Sequence, residues 1–520
     1  MACSYDSARI IISLVVLVVL SLSSKSCCHS LGTFGLDIHH RFSDPVTQIL
    51  GIHEDDQLLL PRKGTPQYYA AMIHRDRLFH GRRLAADQHT PITFAAGNET
   101  RRIAAFGYLH FANVSVGTPP LWFLVALDTG SDLFWLPCNC TSCVRGIKTQ
   151  TGKIIDLNIY ELDKSSTRKS VSCNSNLCKQ SQCPSSSRSS CRYEVQYLSN
   201  DTSSSGFLVE DVLHMITDDD HTKDVDTQIT IGCGQVQTGV FLSGAAPNGL
   251  FGLGMENLSV PSILAQKGLI SNSFSMCFES DGSGRITFGD TGSSDQGKTP
   301  FNLMELLPTY NITVTQIIVG GYAVDQEFHA IFDSGTSFTY LNDPAYTLIS
   351  DKFNSLVKAN RHSPLSPNSD SDVPFEYCYD ISPDETIEVP FLNLTMKGGD
   401  NYYVTDPIEP IEGNLLCLGI QKSDNVNIIG QNFMTGYRIV FDRENMNLGW
   451  KESNCTDEVL SNTVPTKKSL SPAVSPATAV NPVITSDPSS NTGSFSPDQS
   501  CRMKLTFVYM VVLLTLTTNF

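Results

Sequence analysis

Short runs of alternating apolar and polar residues fill most of the chain, from residue 106 to about residue 451. Runs rich in β-branched residues, such as residues 109–116 and 310–319, end at glycine or proline turns and predict strands. Helical periodicity is rare and is clearest over residues 344–358. The apolar positions in that stretch are Tyr346, Ile349, Phe353 and Val357. The pattern predicts an all-β fold with minor helices.

The N-terminus has the layout of a secretory signal peptide. An apolar run, residues 10–20, follows Arg9 and precedes small residues with Cys27 and Cys28. A basic residue before a short apolar core is typical of a cleaved signal. An N-terminal membrane anchor is the alternative, but the run is short for a membrane span. We therefore expect residues 1–30 to be removed.

The composition changes after Cys455. Residues 463–500 are rich in Pro, Ser and Thr with almost no aromatic residue, which predicts an extended stalk. The apolar run 505–516 then reaches almost to the chain end, which matches a GPI-attachment signal with Asn491 as the attachment residue. A C-terminal transmembrane helix is the alternative, but the run is short and no basic tail follows it.

The balance of charge differs between regions of the chain. The formal net charge of the 520 residues is -17, which argues against nucleic acid as a partner. Residues 31–103, in contrast, contain basic and histidine-rich stretches such as residues 39–42 and 75–83. A basic segment can cover an acidic cleft electrostatically. We expect a pro-segment here, with a plain linker as the alternative.

Twelve cysteines run from Cys138 to Cys455, and seven of them are concentrated between Cys138 and Cys191. An even number in a secreted chain predicts a disulfide framework, whose pairing the sequence leaves open. Metal binding is the alternative, because Cys140-x-x-Cys143 has the spacing of metal ligands. No histidine lies at a matching spacing. We expect disulfides and no metal.

Eight Asn-x-Ser/Thr sequences are candidate glycosylation sites on surface loops. They are Asn98, Asn113, Asn139, Asn200, Asn257, Asn311, Asn393 and Asn454.

Two segments of the β region resemble each other, and each is an apolar strand that ends in an aspartate. Residues 123–131 end in Asp128-Thr-Gly-Ser, and residues 329–336 end in Asp333-Ser-Gly-Thr. The glycine lets each loop turn tightly, so that its aspartate can face a partner. The hydroxyl residues can hydrogen-bond the carboxylates and hold their planes. A single such motif could be an ordinary turn, but two on strands predict a catalytic pair.

These motifs resemble those of the pepsin-like aspartic proteases, and the resemblance extends from Tyr108 to Trp450. Residues 117–120, 248–254 and 427–430 resemble the family's first turn and the two segments that cross behind its catalytic loops. The cysteine-dense insertion is similar to that of plant nepenthesin-type members. The resemblance implies a bilobal fold of two β-barrel-like lobes with the active-site cleft between them. It also implies that Asp128 and Asp333 are catalytic. The supporting residues it implies are Thr129, Gly130, Ser131, Ser334, Gly335 and Thr336.

The flap over the cleft departs from the family pattern. Tyr197 is the best match to the family's flap tyrosine, and Trp135 matches the tryptophan that supports it. Residues 198–202, Leu-Ser-Asn-Asp-Thr, replace the usual glycine-containing tip, which should make the hairpin less adaptable. Tyr193 is the weaker candidate, and a purely structural role is the alternative for either tyrosine.

The expected activity is peptide hydrolysis at acidic pH by an aspartate dyad and an activated water, without metal, cofactor or covalent intermediate. The expected substrate is a protein or peptide, and the expected enzyme is a monomer held by its lipid anchor on the outer face of the plasma membrane or in the cell wall. Two alternatives remain. Some plant relatives keep both lobes but inhibit cell-wall glycosidases, and a glycosidase could also use paired carboxylates.

These inferences divide the chain into six parts. They are a signal peptide (1–30), a pro-segment (31–103), an N-terminal catalytic lobe (104–295), a C-terminal catalytic lobe (296–455), a stalk (456–491) and a GPI-attachment signal (492–520).

Overall fold

The computed structural model describes twelve stretches of the chain: 32–49, 63–80, 108–148, 153–178, 183, 190–197, 201–217, 223–302, 309–362, 373–382, 387–412 and 414–455. Within those stretches, no helix is both long and apolar enough to cross a bilayer. The expected signal peptide, stalk and GPI signal lie outside them, as do Asn98, Asn200 and Asn491.

Strands dominate the described residues. The first half contains β1 (Phe34–His40), β2 (His110–Val116), β3 (Leu121–Asp128), β4 (Trp135–Ser142), β5 (Gly146–Lys148), β6 (Ile154–Asp156), β7 (Lys169–Ser170), β8 (Arg192–Gln196), β9 (Ser203–Ile216), β10 (Asp224–Gln237), β11 (Leu250–Gly252), β12 (Ser273–Phe278) and β13 (Ser283–Phe288). The second half contains β14 (Gly297–Pro300), β15 (Asn311–Val319), β16 (Tyr322–Phe332), β17 (Thr339–Leu341), β18 (Asn360–Arg361), β19 (Cys378–Asp380), β20 (Leu392–Met396), β21 (Asn401–Val404), β22 (Ile408–Ile411), β23 (Leu415–Leu418), β24 (Ile420–Lys422), β25 (Ile428–Ile429), β26 (Tyr437–Asp442) and β27 (Asn447–Glu452).

The helices are short and few. They are α1 (Asp44–Ile49), α2 (Pro66–His80), α3 (Val260–Gln266), α4 (Ala345–Leu356) and α5 (Gln431–Met434), with 3-10 turns at Leu162–Lys164 and Gly239–Ser243. The all-β prediction is therefore confirmed. Helix α4 covers almost all of the predicted stretch 344–358, and it buries Tyr346, Ile349 and Phe353 as the periodicity required.

One large sheet joins the two halves of the chain. Its order is β14-β27-β26-β12-β13-β1-β2-β3-β11-β4-β10-β9-β7, with β8 paired to β9. The last two strands of the chain, β26 and β27, thus pair with strands near the expected lobe boundary. A second sheet, β21-β20-β15-β16-β25-β17-β24, forms the C-terminal lobe, and a four-stranded sheet, β18-β19-β23-β22, extends it. A single apolar cluster runs through both halves.

Six disulfides join the twelve cysteines that the sequence singled out. The pairs are Cys138–Cys233, Cys140–Cys143, Cys173–Cys183, Cys178–Cys191, Cys277–Cys455 and Cys378–Cys417. The expected disulfide framework is confirmed, and the Cys140-x-x-Cys143 spacing belongs to a disulfide. Three of the pairs lie within the dense segment 138–191, so covalent bonds supplement the small apolar core of that insertion.

A buried ion pair fixes β26 against the turn after β13. Arg438 donates through Nε to Asp290 Oδ2 at 2.7 Å and through Nη2 to Asp290 Oδ1. The two side chains are only 8% and 5% exposed. Because both charged groups are buried and have lost their hydration, the ion pair is favourable only while these two hydrogen bonds compensate for that loss.

Removal of one partner should therefore be costly. We expect Arg438→Met to lower the free energy of unfolding by about 3–5 kcal/mol, because it leaves a buried carboxylate without its cation. Chemical denaturation of the purified protein measures this. The matched control is Lys451→Met, which breaks the solvent-exposed pair with Asp295 and should leave the free energy of unfolding almost unchanged. Equal losses in the two variants would contradict this account.

Candidate active site

The first of the two predicted motifs, Asp128-Thr-Gly-Ser, forms a tight loop at the end of β3. The backbone N–H of Gly130 donates to Asp128 Oδ1 at 3.0 Å, and the Ser131 hydroxyl donates to Oδ2 at 2.5 Å. Each carboxylate oxygen therefore has its own donor within the loop. Asp128 itself stays partly exposed at the cleft, whereas Thr129 and Ser131 are buried.

The second motif repeats this arrangement at the end of β16. The N–H of Gly335 donates to Asp333 Oδ1 at 2.8 Å, and the Thr336 hydroxyl donates to Oδ2 at 2.7 Å. The fold also brings the two loops together, because the Thr129 hydroxyl lies 3.5 Å from Asp333 Oδ1. Two carboxylates from strands 205 residues apart thus share one cleft in matched settings.

A short strand crosses behind each loop, as residues 248–254 and 427–430 led us to expect. β11 pairs in parallel with β3, with Gly252 opposite Asp128, and β25 pairs in parallel with β16. The N–H of Leu253 donates to the carbonyl of Asp128 at 2.9 Å, and the N–H of Asp333 donates to the carbonyl of Ile429 at 3.1 Å.

Both crossings require a glycine. A Cβ on Gly252 would lie 2.2 Å from the backbone of Asp132, and a Cβ on Gly430 would lie 2.1 Å from the carbonyl oxygen of Phe338. No side chain fits at such distances from backbone atoms. The glycines therefore set how closely each crossing strand supports its catalytic loop.

The electrostatics of the cleft favour one retained proton. Withdrawal from water and, after it, the negative charge of Asp333 raise the pKa of Asp128, which lies at about 6 once all its neighbours act on it. The hydrogen bonds from Ser131 and Gly130 act in the opposite direction, and so does the positive charge of Arg75. A carboxyl with this pKa can hold a proton in mildly acidic solution beside an ionised partner.

Tyr197, the predicted flap residue, contacts Trp135, the residue predicted to support it. Trp135 Nε1 donates to the Tyr197 hydroxyl at 2.8 Å, and the ring of Phe241 packs edge-on against both residues at 5.0 Å. The N–H of Tyr197 donates to the carbonyl of Thr202 at 2.9 Å across the hairpin. The hairpin tip, residues 198–200, lies outside the described residues.

Tyr193, the weaker candidate, points into the N-terminal lobe. It is buried, its hydroxyl lies 3.0 Å from Ser204 Oγ, and its ring covers Gly232, where a Cβ would meet it at 2.8 Å. Tyr193 therefore packs inside the N-terminal lobe, and Tyr197 remains the expected flap residue.

A helix from the basic N-terminal region, which no sequence pattern predicted, lies on the loop that carries Asp333. Arg75 of α2 donates to the carbonyl of Gly335 and lies 2.8 Å from the carboxylate of Asp76. Asp76 is fully buried and accepts hydrogen bonds from the Ser337 N–H, at 3.0 Å, and from the Ser337 hydroxyl, at 2.8 Å. The available signal was Asp76 itself, the one acidic residue in the basic stretch 75–83.

Tyr108 is a second residue that sequence analysis missed. It is buried in the apolar cluster that contains Trp135. Burial raises its pKa far above the usual value for tyrosine, and the charges of Asp128 and Asp333 add to the effect. Tyr108 therefore stays neutral close to both carboxylates.

The glycosylation candidates differ in accessibility. Asn113, Asn139, Asn257 and Asn454 are exposed, and Asn311 is partly exposed. Asn393 is only 2% exposed, and its side-chain amide donates to Asn401 Oδ1 at 3.1 Å. A glycan on Asn393 would break this contact, so the folded chain disfavours modification at that position.

Comparisons with known proteins agree with this geometry. The family model described as xylanase inhibitor N-terminal matches residues 110–290, and the one described as xylanase inhibitor C-terminal matches residues 309–452. The chain is 52% identical to aspartyl protease family protein 1 of Arabidopsis thaliana, over 98% of this chain and 99% of the relative. It is 36% identical to aspartic proteinase-like protein 1 of the same plant, over 92% of this chain and 94% of the relative.

Solved structures share the fold at low sequence identity. Conglutin gamma, a basic 7S globulin from lupine seeds, superposes with a TM-score of 0.52 at 20% identity, over 67% of this chain and 92% of that chain. Basic 7S globulin from soybean superposes with a TM-score of 0.52 at 19% identity, over 67% of this chain and 92% of that chain. Taken with the paired loops and the full-length relatives, these matches show that the chain belongs to the pepsin-like aspartic protease family.

Proposed function

We propose that this protein is an aspartic endopeptidase in which Asp128 and Asp333 share one proton and activate a water molecule. The observation that carries the proposal is the matched pair of loops. In each, one backbone N–H and one hydroxyl hold the carboxylate of a partly exposed aspartate. Inactive relatives could retain the fold, but the complete pair of hydrogen-bonded carboxylates is the chemistry of the active enzyme.

The mechanism needs only these groups and a water. The ionised aspartate takes a proton from the water, whose oxygen attacks the scissile carbonyl carbon, and the protonated aspartate donates its proton to the carbonyl oxygen. The aspartate that took the proton of the water passes it to the amine nitrogen, and the other aspartate takes a proton from a hydroxyl of the tetrahedral intermediate. The C–N bond then breaks, which releases a carboxylic acid and an amine and restores the dyad. The proton belongs to the pair and not to one residue. Tyr197 would close over an extended peptide bound in the cleft.

We further propose that residues 31–103 form an inhibitory pro-segment. Helix α2 packs Tyr68, Tyr69, Met72 and Ile73 into an apolar groove of the C-terminal lobe lined by Phe338, Tyr340, Phe375, Ile411, Leu415 and Ile428. Arg75 and Asp76 then bind the loop that carries Asp333. The helix thus occupies the Gly335 carbonyl and the backbone N–H groups of Ser337 and Phe338, which supports a latent state.

The proposed location is the secretory pathway, with the enzyme held as a monomer on the outer face of the plasma membrane by a GPI anchor at Asn491. The six disulfides support an oxidising compartment. The apolar runs at the two ends of the sequence support a cleaved signal and an anchor.

A binding protein without peptidase activity is the second candidate. It is favoured by the family model's description, xylanase inhibitor, and by the seed globulins that share the fold. The two candidates differ in a simple assay. An endopeptidase, freed of residues 31–103, hydrolyses denatured protein in acid, whereas a binding protein leaves it intact.

Loss of either carboxylate should abolish turnover. We expect Asp128→Asn and Asp333→Asn each to reduce kcat at least about a thousandfold, because each removes a proton donor or acceptor. Cleavage of a denatured protein at acidic pH measures this, and circular dichroism checks the fold. The control is Asp295→Asn at the exposed pair with Lys451, which should keep full activity. Full activity in either dyad variant would refute the mechanism.

Activity should fall as the pH rises through about 6. Burial raises the pKa of Asp128 to about 6, so the dyad keeps its shared proton below that pH and loses it above. The enzyme then lacks the acid that protonates the carbonyl oxygen. A pH profile of kcat/KM on a peptide without ionisable side chains tests this. A profile that stays flat to pH 8 would contradict it.

Release of the Asp76 contacts should activate the full-length chain prematurely. Asp76→Ala removes the acceptor for Ser337, Phe338 and Tyr340, and we expect docking to weaken by about 2–4 kcal/mol. The measurement is hydrolysis of a peptide at pH 6 before any processing of the chain. Arg77→Ala, on the exposed side of the same helix, is the control and should leave the chain latent. Equal latency of the two variants would exclude a role for Asp76.

A further inference from the structure

Strand β1, within the proposed pro-segment, lies inside the main sheet. It pairs antiparallel with β13 along Phe34–His39 and with β2 over three residues, of which the last pair is His40 with His110. A departing pro-segment must therefore separate these two histidines. His110 would remain on β2, and His40 would leave with β1.

The two imidazoles are buried against each other. His40 and His110 are 8% and 3% exposed, and their ring centroids are 5.6 Å apart. The ring of Phe278 lies 4.7 Å from that of His110, and the ring of Phe42 lies 5.7 Å from that of His40. Apolar rings thus replace the water that would solvate a charged imidazole.

Hydrogen bonding is consistent with neutral rings. The N–H of Phe42 donates to His40 Nδ1 at 3.3 Å, so this nitrogen acts as an acceptor and carries no proton. His110 Nδ1 is buried, and no hydrogen-bond partner for it exists among the described residues. Protonation would break the contact to Phe42 and would place a charged N–H of His110 without an acceptor.

The charges around the pair are positive. His40 faces His110, Arg41, Lys63 and Arg75, and His110 faces Arg75 and His39. Arg41 and Arg75 are themselves buried, and the nearby carboxylate of Asp76 is occupied by Arg75 and Ser337. Burial first, and these cations second, lower the pKa of His110 to about 3 and that of His40 well below its usual value.

We propose that His40 and His110 form an acid-operated release switch, in which their protonation expels β1 and then α2 from the catalytic domain. The proposal rests on the proposed function of residues 31–103 as a pro-segment. It assigns the trigger to two neutral, buried histidines on opposite sides of the interface. Acid would thus free the cleft in the conditions in which an aspartate dyad works.

The direction of the effect follows from proton linkage. Both histidines have lower pKa values when docked, so release takes up protons below about pH 6.5, the usual value for a free histidine. Each histidine then weakens docking by roughly tenfold per pH unit, or about a hundredfold for the pair. Above pH 6.5 the histidines do not weaken docking. Below it their effect grows until the pH reaches the pKa of the histidine in the docked state, which is about 3 for His110.

Glu409 opposes the histidines over part of this range. It interacts with Tyr69 of α2 and with Lys63, and burial raises its pKa to about 7. Docking therefore takes up a proton at Glu409 between about pH 7 and its usual value of about 4.5, which offsets one histidine there. Asp128 has two opposing effects on the pH dependence of docking, because burial raises its pKa and the charge of Arg75 lowers it. Release should steepen below about pH 4.5, where Glu409 no longer contributes.

Hydrogen exchange of the full chain with Asp128→Asn tests the switch without self-processing. This substitution also removes the contribution of Asp128. We expect peptides from residues 34–40 and 66–80 to be protected at pH 7 and to lose protection on acidification, after correction for intrinsic exchange rates. His40→Asn with His110→Asn should lower the midpoint of release by at least about one pH unit, because neither amide titrates.

Three further variants isolate the cause. His40→Asn alone changes only the pro-segment and keeps an acceptor for the Phe42 N–H, so a folding defect of the catalytic domain cannot explain its shift. Glu409→Gln fixes the neutral form that docking favours, so it should strengthen docking between about pH 4.5 and pH 7 and leave release below about pH 4.5 unchanged. His362→Asn, at a partly exposed histidine paired with Asp380, is the matched control and should leave the midpoint unchanged.

Two outcomes would overturn the proposal: no acid-induced loss of protection in the parent, or the same midpoint in the parent and the double histidine variant. The proposed peptidase function fails separately. A catalytic domain with Asp128 intact and without residues 31–103 would then cleave no denatured protein, while release of residues 34–40 and 66–80 in acid could still follow the histidines.

Discussion

Two carboxylates of like charge must be held close together at one cleft, and much of the fold serves this constraint. Each carboxylate receives one N–H and one hydroxyl from its own loop, so its orientation is fixed locally. The crossing strands β11 and β25 then fix the loops to the two sheets through Gly252 and Gly430. Burial, together with repulsion from Asp333, raises the pKa of Asp128.

The same loop that holds Asp333 also binds the N-terminal helix α2. Its backbone N–H groups at Ser337 and Phe338 point to the carboxylate of Asp76, and its Gly335 carbonyl accepts from Arg75. A neighbouring Arg–Asp pair in the helix thus satisfies both the donors and an acceptor of the loop. This contact carries no net charge, and the surplus of positive charge lies instead around His40 and His110.

The shared fold by itself does not decide activity. Seed globulins with about one fifth identical residues superpose on this chain. The full-length relatives, an aspartyl protease family protein and an aspartic proteinase-like protein, are 52% and 36% identical to it. What bears on catalysis is the detail of the two loops. Here both aspartates, both glycines and both hydroxyl residues are present and form the expected hydrogen bonds.

The sequence by itself determined the strands, the helix α4, the cysteines that form disulfides and the two loops around Asp128 and Asp333. These depend on periodicity and on contacts within a few residues, which the order of residues records directly. The tertiary structure decided the disulfide pairing, the insertion of β1 into the main sheet, and the placement of Arg75 and Asp76 some 260 residues along the chain from their partners. It also decided the pairing of His40 with His110. Such contacts join surfaces that become neighbours only when the whole chain packs, so no local pattern predicts them.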